Sequence, residues 1–135
     1  MAGNLDISGL HQVALTTSDL DRSARFYGET LGLRLIAVFD PPGLAFFDLD
    51  GIRLSVQRVD EAPESSSVIY LRVPDIDAAV GMLKNADVAF ERGPELVFSD
   101  TEGQFGAAGE EEWMAFLRDP DGHLLALVSR RPGCE

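Results

Sequence analysis

Residues 13–21 of the chain read VALTTSDLD, and residues 69–77 read IYLRVPDID. Each stretch is a largely apolar run that ends in a turn and continues with Asp, an aliphatic residue and Asp, and Asp75 follows Asp19 by 56 positions. A short carboxylate at this place caps a helix, because it accepts hydrogen bonds from the first backbone N–H groups. The repeat therefore predicts two copies of a strand that leads into a capped helix.

Apolar residues continue both patterns with the spacing of one helix face. They are Leu20, Ala24, Tyr27 and Leu31 in the first copy, and Ile76, Val80 and Leu83 in the second. Steps of three and four residues are typical of a helix that lies on a sheet. Gly32 is expected to end the first helix in the left-handed conformation, and Asn85 the second.

An Asp-Gly turn follows later in each copy, at Asp50-Gly51 and at Asp121-Gly122. Apolar stretches flank both turns, a pattern typical of a β-hairpin. The strands before the turns are expected at residues 44–49 and 113–118. Each copy thus contains a strand, a helix and about three further strands.

The sequence predicts an α+β fold in which two βαβββ modules form a curved mixed sheet, an open barrel, around a cleft. One domain is expected over residues 1–135, with module one at about 8–62, a linker at 63–67 and module two at about 68–130. The segment 99–112, SDTEGQFGAAGEEE, is rich in glycine and acid and is expected to be a long surface loop.

The charge balance restricts the partners, since 23 acidic residues face 11 basic ones and the net charge is −12. This charge opposes binding to nucleic acid and to anionic membranes, and it favours cationic small molecules. No apolar run approaches the roughly 20 residues that cross a bilayer, and the N-terminus is unlike a secretion signal. A cytoplasmic location is expected, and Cys134, the single cysteine, has no partner for an internal disulfide.

Two stretches resemble the signatures of a known superfamily. HQVALTTSDLDRSARFYGETLGL, at residues 11–33, and DPDGHLLALV, at 119–128, resemble the opening and closing signatures of the vicinal oxygen chelate superfamily. That superfamily includes glyoxalase I, extradiol dioxygenases and bleomycin-binding resistance proteins. The resemblance covers about residues 8–130 and implies the paired-module fold and a homodimer. A shared fold does not by itself assign a function.

The resemblance also implies where a metal would bind. Enzymes of the superfamily hold one divalent ion through four inward-facing residues, and the matching positions here are Gln12, Ser55, Val68 and Ala126. Valine and alanine have no donor atom, and the amide and hydroxyl are weak neutral ligands. We therefore expect no metal and no cofactor. The alternative is one divalent metal, such as Zn, Ni, Mn or Fe, at a shifted site that uses His11, Gln57 or an acid of the 99–112 segment.

Strand alternation extends the predicted cleft to Gln57, Tyr70 and Arg72, because residues two apart share a face. Trp113 is added as a flat apolar group on a strand that forms the cleft, although alternation does not decide which side it faces. The predicted ligand-binding residues are Gln12, Ser55, Gln57, Val68, Tyr70, Arg72, Trp113 and Ala126. In the alternative interpretation, their polar groups only satisfy one another's hydrogen bonds. His11 is expected on the outer face and His123 at an exposed turn, and no catalytic residue is identified.

A mostly apolar pocket with a few polar groups is typical of a small-molecule site. The leading hypothesis is a metal-free protein that binds a small organic molecule, cationic or aromatic, in its cleft. One alternative is a metal-dependent glyoxalase-like lyase, isomerase or dioxygenase with a shifted metal site. Another is a regulatory module that has kept the fold without the chemistry.

Overall fold

Strand, helix and three strands follow one another twice along the chain. The computed structural model describes residues 10–61 and 67–133, and it divides the chain into unit 1, Met1–Ala62, and unit 2, Pro63–Glu135. Unit 1 contains β1 (Gln12–Thr17), α1 (Leu20–Arg25), a π-helical segment (Phe26–Thr30), β2 (Arg34–Phe39), β3 (Leu44–Leu49) and β4 (Ile52–Arg58). Unit 2 contains β5 (Val68–Arg72), α2 (Ile76–Asn85), β6 (Phe90–Asp100), β7 (Glu110–Arg118) and β8 (Leu124–Pro132).

Each unit has its own four-stranded mixed sheet. The strand order is β1-β4-β3-β2 in unit 1 and β5-β8-β7-β6 in unit 2. The first strand of each unit runs parallel to the last, and the other pairs are antiparallel. This arrangement confirms the two βαβββ modules. The strands form two sheets and not one continuous sheet, and the predicted cleft stays a prediction.

The predicted helix caps are confirmed. The Asp19 carboxylate accepts a hydrogen bond from the backbone N–H of Arg22 at 3.1 Å, and Asp75 accepts one from Ala78 at the same distance. The π-helical segment ends where the N–H of Leu31 bonds the carbonyl of Phe26, and Gly32 follows with a φ of 80°.

The predicted end of the second helix is wrong by two residues. Asn85 is still helical, and Asp87 is the residue in the left-handed region, with a φ of 65°. The helical hydrogen bonds carry on through the N–H of Ala86, which bonds the carbonyl groups of Met82 and Leu83. The left-handed residue that ends the helix is therefore Asp87, since aspartate tolerates a positive φ.

The helix stripes form the cores of the two units. In unit 1 the Tyr27 ring is 1% exposed and packs against the rings of Phe26 and Phe47, at centroid distances of 5.2 Å and 6.1 Å. In unit 2 the helix side chains of Ile76, Val80 and Leu83 are buried, as are Leu117 and Leu125 on the sheet. None of the helices in the described ranges is long and apolar enough to cross a membrane.

The long loop predicted for residues 99–112 is shorter than expected. β6 extends to Asp100 and β7 begins at Glu110, so that only residues 101–109 connect them. Glu112 lies opposite Arg130 of β8 in the strand register and forms a salt bridge with it at 3.3 Å. The acidic residues 110–112 can join the sheet because Arg130 neutralises part of their charge. Arg130 is distant in the sequence, so the local composition does not reveal it as a partner. Most of the predicted linker, residues 63–66, and Cys134 lie outside the described residues.

Candidate functional site

Each sheet has one face that bears a helix and one face that does not, which we call the open face. In unit 1, Phe47, Leu54 and Val56 lie on the helix-bearing face and are at most 2% exposed. Alternation along the strands places the intervening residues on the open face. They are Gln12, Ala14 and Thr16 from β1, Arg53, Ser55 and Gln57 from β4, and Leu44, Phe46 and Asp48 from β3.

A polar pair lies in the middle of this face. The side-chain amide of Gln12 donates a hydrogen bond to the Ser55 hydroxyl at 3.4 Å, and Ser55 is buried on the central strand β4. Gln57, two residues further along the same strand, is exposed. The structure therefore brings together the three predicted site residues of unit 1, and it shows two of them in direct contact.

An aromatic group lies beside the polar pair. Phe46 of β3 lies opposite Ser55 in the strand register and is half-buried. Its ring meets the ring of Phe39 edge to face, at 6.0 Å and an interplanar angle of 79°. Phe39 belongs to the edge strand β2 and is 53% exposed. The open face of unit 1 thus offers flat apolar surface next to an amide and a hydroxyl, a combination suited to an aromatic ligand.

Arg53 is a cation of this face that the sequence-based prediction missed. Its guanidinium carbon lies 5.8 Å from the centroid of the Phe46 ring, and Nη2 lies 3.0 Å from Nε2 of His11. Because arginine can only donate, His11 accepts at Nε2. His11 precedes β1, so strand alternation does not fix its side, and its ring contacts Arg53 instead of pointing away from the face.

In unit 2, the open face carries the predicted residues of β5 and β8. Ala126 is buried and lies opposite both Tyr70 and Phe116, while Tyr70 is 57% exposed. The guanidinium of Arg92 lies 4.4 Å from the Phe116 ring centroid. Val68 and Arg72 share this face with Tyr70, since they are two residues away on the same strand.

Trp113 does not join this face, which corrects its place among the predicted site residues. It lies opposite Ser129 in the register, on the same face as the buried Ala115 and Leu117. Arg131 stacks on its ring at 3.9 Å, and the same arginine bonds Asp77 of α2. Trp113 therefore belongs to the helix-bearing side of unit 2.

A partly buried ion cluster anchors the 101–109 loop of unit 2. Arg130 bonds Asp100 at 2.8 Å and Glu110 at 3.1 Å, and the Asp100 carboxylate also accepts the backbone N–H groups of Gln104 and Phe105. Burial raises the pKa of Asp100, but the bonds from Arg130 and the two N–H groups outweigh it, and the pKa falls to about 2. The bond with Asp100 in turn raises the pKa of Arg130. The loop is thereby held by an ion pair that is fully charged at neutral pH.

His123 is buried, contrary to the exposed turn expected from the sequence. It is 3% exposed, and the Asp119 carboxylate accepts its backbone N–H at 2.8 Å and that of Asp121 at 2.9 Å. The carboxylate folds the turn back on itself and carries the imidazole inward. A five-residue connection between β7 and β8 allows this, where the two-residue turn of unit 1 would not.

The resemblance assigns a metal to four positions. The residues at these positions, which do not suit a divalent cation, are Gln12, Ser55, Val68 and Ala126. Val68 and Ala126 offer no donor atom, and the Gln12 amide donates to Ser55. No three His, Cys, Asp or Glu side chains cluster closely enough to hold a metal ion in the described part of the chain.

A separate shallow cavity lies on the helix-bearing side of unit 1. The α1 helix, the π-helical segment and strands β2 and β3 form it, with Arg25, Gly28, Leu35 and Phe47 among its lining residues. None of the predicted site residues lines it, so it is a competing place for a ligand in this unit.

Comparisons with known proteins agree with this architecture. The profile of the Glyoxalase/Bleomycin resistance protein/Dioxygenase superfamily matches residues 9–127. The virulence protein STM3117 of Salmonella typhimurium is 25% identical over 128 residues, which cover 90% of this chain and 83% of that protein. A structure from the mobile metagenome of V. Pseudocholerae has a TM-score of 0.75 at 20% identity, covering 94% of this chain and 98% of that one, a likeness of fold.

One similar structure has a named binding activity. TnmS3, an antibiotic binding protein from Streptomyces sp. CB03234, is 25% identical with a TM-score of 0.72, and the match covers 95% of this chain and 100% of that one. Because the family profile covers most of the sequence and both sheets have the module topology, this chain belongs to the Glyoxalase/Bleomycin resistance protein/Dioxygenase superfamily.

Proposed function

We propose that this protein binds a small aromatic molecule without a metal, as a binding protein and not as an enzyme. The observation that carries the proposal is the open face of unit 1, where Phe46 and Phe39 lie beside the Gln12–Ser55 pair. Aromatic surface with one amide and one hydroxyl can orient a flat ligand, but these groups supply neither a general base nor a set of metal ligands.

Two further observations support it. Valine and alanine at two of the four family metal positions leave a dication with too few donors to replace its water shell. The likeness to TnmS3, an antibiotic binding protein, supports a binding role for this fold. The predicted homodimer and cytoplasmic location belong to the same proposal and await their own measurements.

The test is a thermal-shift screen with flat aromatic compounds of different charge, on the protein and on a Phe46→Leu variant. A ligand that binds the folded protein at a hundred times its Kd adds about 2.7 kcal/mol of stability, which is a readily measured rise in Tm. We expect a rise for the protein and a reduced rise for Phe46→Leu. Met82→Ala, which changes an exposed apolar side chain on α2, is the matched control and should keep the full rise.

Metal content distinguishes the enzyme alternative. Plasma mass spectrometry of protein incubated with Zn²⁺, Ni²⁺, Mn²⁺ or Fe²⁺ and then desalted is expected to give far less than one ion per chain. One tightly held ion per chain or per dimer, together with turnover of a hemithioacetal or a catechol, would overturn the proposal in favour of a lyase or dioxygenase.

A further inference from the structure

We infer that the ligand of this protein carries one negative charge, held by Arg53, so that it is a flat aromatic acid. The inference rests on the proposed function and specifies its ligand class. It departs from the cationic ligand that the overall charge favours, because the charges of the open face differ from those of the whole chain.

Most of the arginines in this chain are paired with carboxylates. The chain has 23 acids and 11 bases, so an arginine without an acidic partner is unexpected. Six arginines form salt bridges with nearby carboxylates, namely Arg34, Arg58, Arg92, Arg118, Arg130 and Arg131. Within the ranges that the structure describes, Arg53 forms no salt bridge, as is also true of Arg25 and Arg72. Arg53 is the one of these three that lies on the open face of unit 1, beside the Phe46 ring.

The acid that lies across the strands from Arg53 is engaged elsewhere. Asp48 lies directly opposite Arg53 in the register of β3 and β4 and is placed to pair with it. Its carboxylate turns elsewhere, towards Arg34 at 3.9 Å and the backbone N–H of Gly51 at 3.4 Å. The charge of Arg53 therefore stays available even though a potential partner stands across the strand.

The guanidinium of Arg53 already has a defined position on the open face. Arg53 is held by the Phe46 ring on one side and by His11 Nε2 on the other, and one of its five N–H groups is committed to that imidazole. Its other side-chain N–H groups have no partner among residues 10–61 and 67–133 and can bond an oxyanion, and a guanidinium that is already oriented loses little entropy on doing so. The Gln12–Ser55 pair lies on the same face.

These groups define the ligand. An aromatic ring can pack against Phe39 and Phe46 while its carboxylate, or a similar anionic oxygen group, bonds Arg53 with charge-assisted hydrogen bonds. The net charge of −12 opposes multiply charged anions at long range, which favours a single negative charge. A carboxylate probe stands for any such ligand, because every anionic oxygen group would accept the same hydrogen bonds from Arg53.

The experiment compares three probes of one shape by ligand-observed NMR: 2-naphthoate, the neutral 2-naphthamide and a 2-naphthylmethyl trimethylammonium salt. The variants are Arg53→Gln and, as the matched control, Arg25→Gln, which removes the same charge from the helix-bearing side of unit 1 and from the separate cavity there. We expect 2-naphthoate to bind about tenfold more tightly than the amide or the cation. Arg53→Gln should abolish that preference, and Arg25→Gln should keep it.

Each other result has a defined meaning. Preferential binding of the ammonium probe, or equal binding of 2-naphthoate to the protein and to Arg53→Gln, overturns the inference and leaves the proposed function standing. Loss of 2-naphthoate binding in Arg25→Gln alone moves the site to the other cavity and also overturns it. Failure of all three probes to bind overturns the proposed function together with the inference.

Discussion

At Gly93 the backbone of β6 takes a conformation that favours glycine, with a φ of 88°. A Cβ atom there would lie 2.5 Å from the carbonyl oxygen of Met114 and 2.8 Å from the Cα of Ala115, both in the neighbouring strand β7. Backbone atoms of a central strand cannot move aside cheaply. The irregular register of β6 therefore depends on a single hydrogen atom in place of a side chain.

Gly93→Ala is expected to lower the free energy of unfolding by about 3 kcal/mol or more, because a positive φ and a backbone clash act together. Urea denaturation followed by circular dichroism measures it. Gly81→Ala is the matched control, since Gly81 is exposed on α2 with nothing near its Cβ position, and this change should stabilise by about 0.5–1 kcal/mol. Equal effects of the two substitutions would contradict the account.

Asp100 is a second residue with an individual role, because its charge holds the 101–109 loop. Its pKa of about 2 in the folded protein is lower than the ordinary value of 3.8. A carboxyl group whose pKa is depressed by folding contributes stability above its ordinary pKa, and this contribution is lost as the pH falls through the folded value. The ion pair should thus support the fold from neutral pH down to about pH 4 and fail towards pH 2.

Asp100→Asn is expected to lower Tm at about pH 6, with the difference from the unchanged protein shrinking between about pH 4 and pH 2. The difference shrinks because the unchanged protein also loses the charge over that interval. Melting curves of both proteins across this pH series provide the measurement, and Asp60→Asn, at an exposed position outside the strands, is the control. A difference that stays constant with pH would show that the carboxylate charge is unimportant.

At the scale of elements, the sequence predicts much of unit 1 because local chemistry fixes it. The Asp50-Gly51 turn takes positive φ values of 50° and 98°, as a two-residue hairpin requires. This turn sets the pairing of Phe46 with Ser55, and strand alternation then places Arg53 on the open face, on the same side of β4 as Ser55 and Gln57. Arg53 could have been found from the sequence by the same alternation that found Gln57.

Other parts of the site depend on partners that are far apart in the sequence. Arg130 neutralises Glu110 and Glu112 from another strand, and so β7 extends where composition favours a loop. Strand alternation alone did not decide the side of Trp113, since either face of a strand accepts an aromatic residue. Arg131 and Asp77 make its side clear only once β8 and α2 are in place.

The helix caps give a prediction at this scale. Asp75→Ala removes the carboxylate that accepts the N–H of Ala78 at the start of α2, and should cost about 0.5–2 kcal/mol of unfolding free energy. Asp75→Asn keeps an acceptor oxygen and should lose only a small part of this. Urea denaturation of both variants measures the difference, and an alanine variant as stable as the asparagine variant would argue against a capping role.

For the whole molecule, the charge of −12 is the dominant electrostatic feature. Repulsion among unpaired carboxylates opposes the folded state. At 0.1 M salt this repulsion is largely screened between charges more than about 10 Å apart. The salt bridges at the surface are worth little in comparison, with a median of about 0–1 kcal/mol. The overall fold and its repeat are predictable from the sequence. The balance between carboxylate repulsion and salt bridges is not, because it depends on which charged residues the structure pairs.

Tm is therefore expected to rise when NaCl is increased from about 10 mM to about 300 mM, because screening relieves repulsion more than it weakens ion pairs. Calorimetry at fixed pH measures the change, and sucrose, which stabilises without screening, is the control. A fall of Tm with NaCl would mean that the paired arginines outweigh the surplus acids. In the same buffers, binding of an anionic ligand at Arg53 should weaken.

Every strand pair described here lies within one unit, so neither sheet needs the other for its hydrogen-bond ladder. The 101–109 loop illustrates the consequence, because it has nine residues where the corresponding connection of unit 1, residues 40–43, has four. After a gene duplication, each copy of such a module can gain or lose residues without shifting the register of its sister. One unit can therefore acquire residues that bind a new ligand while the sheet of the other unit stays unchanged.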